Sequence, residues 1–254
     1  MRFVSDIRML ILIRSGIAEG RSVTREWGCE MSQSEVILPR QGRSVRSFAR
    51  MRSAVVELLI TRGSADFTIA EVAEAASISI GSIYGRVGNK TALLRVVHDQ
   101  ELERIEQETL AGLSRAMESV VDFDGDLAAI IDGYLDVLAE NAALLRALIR
   151  LGDVDPESAR RGELAGLNAD AAFSDALRLI VSRYGLDASD TTVAWANELV
   201  YALAARLFGF GLLSSGQPIH RVELTAFKAE LASTVAAYLR ARASNETGDV
   251  EVNM

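Results

Sequence analysis

The chain has 254 residues, of which 49% are hydrophobic and 24% charged, with three prolines and a single cysteine. This length can hold one large domain or two small ones, and the composition favours a mainly helical protein. One cysteine excludes a disulfide framework and a cysteine-based zinc site, and we expect a cytoplasmic location. The longest apolar run near the N-terminus, residues 9–13, is too short to span a bilayer.

The net charge of −8 is unevenly distributed. Residues 1–39 are neutral overall, residues 40–95 carry a net charge of +5, and residues 96–254 carry −13. A basic segment in an acidic chain indicates that this segment meets a polyanion. A solvated charged face explains any one arginine equally well, but it explains the whole segment less well.

No segment alternates apolar and polar residues as a strand would, so the sequence predicts an all-α fold. Residues 1–38 lack a sustained period and a clear cap. We expect a disordered or weakly structured extension there, or a true start at Met31. The first clear helix spans residues 44–62, and Gly63 is suited to end it.

Residues 68–87 predict two short helices separated by a tight turn. Thr68 and Glu71 have the spacing of a capping box, and apolar residues then recur at helical intervals. Ser79 is suited to cap the second helix, and Ile83 and Val87 continue its apolar face. The pattern is typical of a helix-turn-helix.

A long helix is predicted from Asn89 or Lys90 to about residue 118. Further helices are predicted at residues 126–140, 141–151, 156–184, 190–214 and 221–243, followed by a disordered tail at 244–254. These elements indicate a DNA-binding domain at residues 39–92 and a second helical domain at residues 93–243.

The segment from Ser79 to Val87 has the features of a helix that reads DNA, because it is short and its apolar side can be anchored in a core. Gly81 and Ser82 are small enough for close backbone approach to a groove. Donors for phosphates or base edges come from Ser79, Ser82, Tyr84 and Arg86, with Lys90 at the start of the next helix. Arg43 and Arg46, at the start of the first helix, are further candidates.

Residues 44–94 resemble the N-terminal domain of TetR-type (tetracycline-repressor-like) transcriptional regulators. The matching residues are Thr68, the segment EVA at 71–73, Ala76, Ser79, Gly81, Ile83, Tyr84, Lys90, Leu93 and Leu94. The resemblance implies a three-helix DNA-binding head with a helix-turn-helix, joined by a long helix to a helical body that binds a ligand and dimerises.

The resemblance also implies roles for individual residues: phosphate contacts for Thr68, Tyr84 and Lys90, and a groove-facing position for Ile80, Gly81, Ser82 and Arg86. Two positions depart from the family pattern, since Ser77 replaces the usual turn glycine and Val87 replaces a common aromatic residue. The spacing of Ile80 to Ile83 and Val87 equally allows Ile80 to be buried.

For the body, the resemblance implies a homodimer formed by the last two helices, whose small residues allow close helix approach. The candidate ligand-binding residues are Tyr134, Arg150, Phe173 and Trp195, and each is also explained as a core or surface residue. We find no cofactor motif, no metal-ligand spacing and no catalytic set, so we expect a protein that is not an enzyme.

The sequence therefore predicts a DNA-binding transcriptional regulator, a ligand-responsive repressor that acts as a homodimer on a palindromic operator. The alternative is a helical small-molecule-binding or protein-interaction module without DNA binding. Ser77, Gly85 and Val87 leave room for that alternative.

Overall fold

The computed structural model describes residues 42–118, 122–210 and 223–251, and describes side chains over 45–118, 122–210 and 223–243. Within these ranges the chain forms eight α-helices and no strand, which confirms the all-α prediction. The helices are α1 (Gly42–Arg62), α2 (Ile69–Ala76), α3 (Ile80–Val87), α4 (Lys90–Glu118), α5 (Phe123–Val154), α6 (Pro156–Arg183), α7 (Asp190–Phe208) and α8 (Leu224–Glu251). None of these described helices is long and apolar enough to cross a membrane.

The helix ends in the N-terminal part follow local signals. Gly63 has a φ of 63° and its N–H bonds to the carbonyl of Leu59 at 2.8 Å, which ends α1. The amide oxygen of Asn89 accepts the N–H of Ala92 at 2.8 Å and caps α4. The predicted extension at residues 1–38 and the alternative start at Met31 lie outside the described residues.

The prediction of two helices at residues 126–140 and 141–151 was wrong, because α5 is continuous through Asn141. Asn141 does not cap a helix start. Its side chain is buried and accepts a hydrogen bond from Arg104 at 2.7 Å. The partner of this side chain thus lies 37 residues away along the chain.

The last two helices also differ from their predicted limits. The α7 helix ends at Phe208, six residues before the predicted end at 214, because Gly209 follows it in a left-handed conformation. The α8 helix continues to Glu251, whereas we expected a disordered tail after Ala243. Residues 211–222, which join the two helices, lie outside the described part of the chain.

The described residues form two compact units. The head unit comprises residues 42–104 and 141–165, and the body unit comprises the described residues of 105–140 and 166–251. Helices α4, α5 and α6 contribute residues to both. The head unit is thus not a continuous stretch of sequence, whereas the sequence predicted a single domain boundary after residue 92.

The core of the head unit is built where α2 packs against α1 and α3. Apolar residues one helical turn apart supply it, among them Met51, Val55, Leu59, Val72, Ala73, Ile83, Val87, Leu93 and Val97. Two contacts tie residues 141–165 to the rest of this unit. Arg150 donates to the carbonyl of Gly63 at 2.8 Å, and Arg95 donates to the carboxylate of Asp155 at 2.5 to 3.2 Å.

In the body unit, α4 and α5 approach closely at a pair of glycines. A Cβ atom added to Gly112 would lie 3.3 Å from the carbonyl oxygen of Gly133, and the reverse substitution gives the same distance. The α7 and α8 helices pack against each other. Asp126, which is buried, accepts hydrogen bonds from Arg183 at 2.6 Å and from the Tyr184 hydroxyl at 2.9 Å.

Candidate nucleic-acid interface

The α3 helix has a buried side and an exposed side. Ile83 and Val87, one turn apart, are buried in the head unit. The exposed side presents Ile80 and Tyr84, whose exposed fractions are 44% and 47%, and the two glycines Gly81 and Gly85. A short helix anchored on one side and open on the other is suited to enter a DNA groove.

The exposed position of Ile80 resolves the ambiguity in the sequence, because the burial alternative is not observed. An exposed isoleucine can make apolar contact with a thymine methyl group. Gly85 was not among the predicted site residues. Its place on this face follows from helical register, since it lies four residues after Gly81, and no atom lies within 4 Å of a Cβ built on either glycine.

Ser82 and Arg86 lie on the flank of α3 rather than on its most exposed side, and both are half-buried. Arg86 also has an interaction within the protein. Of the four residues expected to face the groove, Ile80 and Gly81 are therefore the most accessible in this structure.

The turn before α3 is held by backbone geometry and by a side-chain cap. Ser77 adopts a left-handed conformation with φ of 52° and ψ of 50°, where the family pattern has glycine. Ser79 then caps α3, since its hydroxyl oxygen accepts the N–H of Ser82 at 3.2 Å. Serine at residue 77 thus keeps the turn despite the less favourable conformation.

Thr68, which was predicted to contact a phosphate, already uses its hydrogen-bond donors in a capping box. Both donors of Thr68 go to Oε2 of Glu71, the backbone N–H at 2.7 Å and the hydroxyl at 2.9 Å. The backbone bond from Thr68, with bonds from its hydroxyl and from Arg62, lowers the pKa of Glu71 to about 2. A phosphate at Thr68 would have to compete with an ionised carboxylate.

Lys90 also has partners within the head unit. Its Nζ donates to the carbonyl oxygen of Ala65 at 2.6 Å and lies 4.9 Å from the ring centroid of Phe67. The ammonium group has three donors, so this bond does not use its full capacity. Lys90 therefore fixes the α1–α2 connection in addition to its predicted contact with phosphate.

The positive charge of the head is smaller than the sequence count indicates. Arg52 forms an ion pair with the buried Glu101 at 3.4 Å, and Arg95 forms one with Asp155. Both acidic partners lie beyond residue 95, yet both fold into the head unit. Arg46, a predicted contact on α1, is exposed, while the side chain of Arg43 lies outside the described residues.

Comparison with known families supports this assignment of the head. Residues 52–97, which contain all of α2 and α3, match the family described as bacterial regulatory proteins, tetR family. The match assigns this segment, and no other part of the chain, to the DNA-binding domain of that family. A comparison with curated proteins found no match.

Several solved structures with the same fold are described as regulators. A putative TetR-family transcriptional regulator from Mesorhizobium loti MAFF303099 is 19% identical, with a TM-score of 0.60 and coverage of 80% of this chain and 98% of that chain. The fatty acid degradation regulator FadR from Bacillus halodurans is 15% identical, with a TM-score of 0.55 and coverage of 78% and 97%. FadR from Bacillus subtilis, solved in complex with stearoyl-CoA, is 15% identical, with a TM-score of 0.55 and coverage of 75% and 98%. These likenesses show the fold.

The four candidate ligand-binding residues are divided between the two units. Tyr134 and Phe173 are buried in the body unit with ring centroids 4.8 Å apart, and burial raises the pKa of the Tyr134 phenol. Trp195 is 64% exposed on α7. Arg150 belongs to the head unit, where its guanidinium binds the carbonyl of Gly63.

Polar groups that the sequence did not single out lie in the same unit as the Tyr134–Phe173 pair. Asn197, which is buried, donates to the side chain of Asp170 and to the hydroxyl of Ser174, the latter at 2.9 Å. The sequence carries no signal for this set, because Asn197 lies on α7 and its two partners lie on α6.

Proposed function

We propose that this chain is a sequence-specific DNA-binding transcriptional regulator in which α3 reads the major groove. The exposed face of α3 carries the proposal, because Ile80, Gly81, Tyr84 and Gly85 are open while Ile83 and Val87 fix the helix to the core. The TetR-family match over residues 52–97 supports the same role.

We assign different parts of the recognition to different residues. Gly81 and Gly85 allow the α3 backbone to come close to the groove, and Ile80 makes apolar contact with bases. Tyr84 and the hydroxyl of Ser79 bind phosphates and set the register. Lys90 adds positive charge while it holds the carbonyl of Ala65.

The regulator acts in this proposal as a homodimer on a palindromic operator. A two-fold dimer places its two recognition helices about one DNA turn, or ~34–36 Å, apart. The interface is formed by α7 and α8. Ala202 on α7 is exposed, whereas Ala204 is buried in its own chain, so only some of the small residues are available to a second copy.

We also propose that an effector bound by the body lowers the affinity for DNA, so that the protein acts as a repressor. By linkage, DNA must then lower the affinity for the effector by the same factor. Because one protein of this fold was solved with stearoyl-CoA, acyl-CoA thioesters are the first compounds to screen. Equal DNA affinity with and without every bound thioester would count against these compounds as effectors.

The test of DNA binding begins with selection of bound duplexes from a random pool. We expect the winners to contain a palindrome, and their affinity, measured by fluorescence anisotropy, to fall steeply as salt concentration rises. Lys90→Met retains the alkyl stem but removes the charge. It should weaken binding to all sequences alike and reduce the salt slope by about one.

Matched variants separate groove reading from general charge effects. Ile80→Ala should change the preferred sequence in a repeated selection, because it removes a base contact. Arg160→Ala removes one positive charge from an exposed arginine of the head unit that pairs with Glu157 and should leave sequence preference unchanged. If no duplex is enriched, the alternative of a helical binding module without DNA binding is favoured.

A further inference from the structure

One face of α7 is exposed and aromatic. Trp195 and Tyr201 have exposed fractions of 64% and 52%, and Ala202 on the same face is also exposed. The opposite face is buried in the body unit through Val193, Ala196, Val200 and Ala204. Exposed Trp and Tyr side chains on one helix face are typical of a protein–protein interface.

The same face carries two opposite charges that have no partner within the described chain. Glu198 and Arg206 are both exposed, and neither makes an ion pair or hydrogen bond there. Each lies four residues, about one helical turn, from Ala202. The two charges are separated by about 12 Å along the helix, which is too far for the pairing seen between residues three or four apart.

This arrangement is complementary to itself under two-fold symmetry. In a two-fold interface, residue i of one copy contacts residue j of the other, and j contacts i in return. If two α7 helices cross in antiparallel orientation at Ala202, Glu198 of each copy meets Arg206 of the other. The small side chain of Ala202 permits a close crossing at that point.

We infer the register of this interface: the two α7 helices cross with the two-fold axis at Ala202, and two symmetric Glu198–Arg206 pairs form across it. The inference rests on the proposed homodimer and specifies its register. The adjacent helix supplies further surface, because α8 packs against α7 and exposes Ala226, Ala229, Ser233 and Ala237. These small residues lie at helical spacing and allow a close approach of the second copy.

Charge reversal tests the register in the full-length chain. Glu198→Arg alone and Arg206→Glu alone each turn both symmetric pairs into like-charge contacts, and each should raise the dimer dissociation constant about tenfold or more. Mixing the two variants should restore assembly, since a heterodimer of Glu198→Arg with Arg206→Glu regains both opposite-charge pairs. The readout is analytical ultracentrifugation over a dilution series, with circular dichroism to confirm folding.

Asp132→Arg is the matched control. Asp132 is an exposed carboxylate of α5 in the same unit, and its reversal should leave the dissociation constant within about threefold of the unchanged chain. The register is overturned, and the proposed homodimer left in place, if the single charge-reversal variants dimerise as tightly as the unchanged chain. The same holds if both variants dimerise weakly and mixing them does not restore dimerisation. A chain that stays monomeric at every concentration overturns the homodimer as well, while duplex selection still tests the DNA-binding head separately.

Discussion

Asp155 is the position where one substitution should most clearly disturb the head unit. It is buried at the start of α6 and accepts three hydrogen bonds from the Arg95 guanidinium. It also caps the helix, since its Oδ2 accepts the N–H and the hydroxyl of Ser158 at 3.0 and 2.8 Å. The bonds from Arg95, which have the largest effect, and those from Ser158 lower the pKa of the Asp155 carboxyl. Asp155→Ala removes both the ion pair and the cap.

The expected cost of Asp155→Ala is about 2 kcal/mol of unfolding free energy. Loss of a helix N-cap costs about 1 kcal/mol. Hydrogen bonds to a charged group contribute about 1.5–3 kcal/mol. The Arg95 side chain is 44% exposed and can be rehydrated, which reduces that contribution to about 1 kcal/mol. A total of about 2 kcal/mol corresponds to a fall in Tm of about 4–8 °C for a chain of this size.

Urea unfolding followed by circular dichroism at pH 7 measures this cost. Arg95→Ala removes the pair but keeps the cap, so it should cost about 1 kcal/mol. Glu157, two residues after Asp155, forms an exposed pair with Arg160. Glu157→Ala should change stability by less than about 0.5 kcal/mol. If Asp155→Ala costs no more than Glu157→Ala, the assigned role of the Arg95–Asp155 pair is refuted.

Three further substitutions test local features. Ser77→Gly should raise the unfolding free energy by up to about 1 kcal/mol, because the left-handed conformation is unfavourable for serine; an unchanged or lower value would contradict this. Gly112→Ala should lower it by about 1 kcal/mol, since the new Cβ meets the backbone of the facing helix. Gly162→Ala, a helical position with nothing within 4 Å, should instead raise it by about 0.5–1 kcal/mol, and the same sign for both alanines would oppose the argument. The lowered pKa of Glu71 means that its contribution to stability is present above pH 4.5 and is lost as the pH falls toward about 2. Glu71→Gln should therefore flatten the acid limb of a stability–pH curve, and an unaltered limb would show that Glu71 does not titrate as described.

The features that could be predicted from the sequence depend on interactions within about one helical turn. The capping box of Thr68 and Glu71 is confirmed. So are the cap at Ser79 and the glycine end of α1 at Gly63. In each case the donor and acceptor lie three or four residues apart, so the pattern of residue types already contains the contact. Ile80 is a residue for which such local patterns are insufficient, because its spacing to Ile83 and Val87 allowed both a buried and an exposed position.

The features that could not be predicted depend on partners distant in sequence. Asn141 lies inside α5, and its side chain accepts a bond from Arg104, 37 residues earlier. Arg150 lies in the head unit and binds Gly63, 87 residues earlier. The positive charge of the head was overestimated because Glu101 and Asp155 fold into the same unit. No periodicity or local charge count contains such contacts.

The split composition of the head unit has a consequence for how the chain is made. Residues 141–165 belong to the same compact unit as residues 42–104. When the helix-turn-helix has left the ribosome during synthesis, part of the unit to which it belongs has therefore not yet been made. Domains generally fold as units during synthesis. Arg95 must therefore wait for Asp155, 60 residues later, and we expect the nascent head to reach its final stability only after residue 165 has left the exit tunnel.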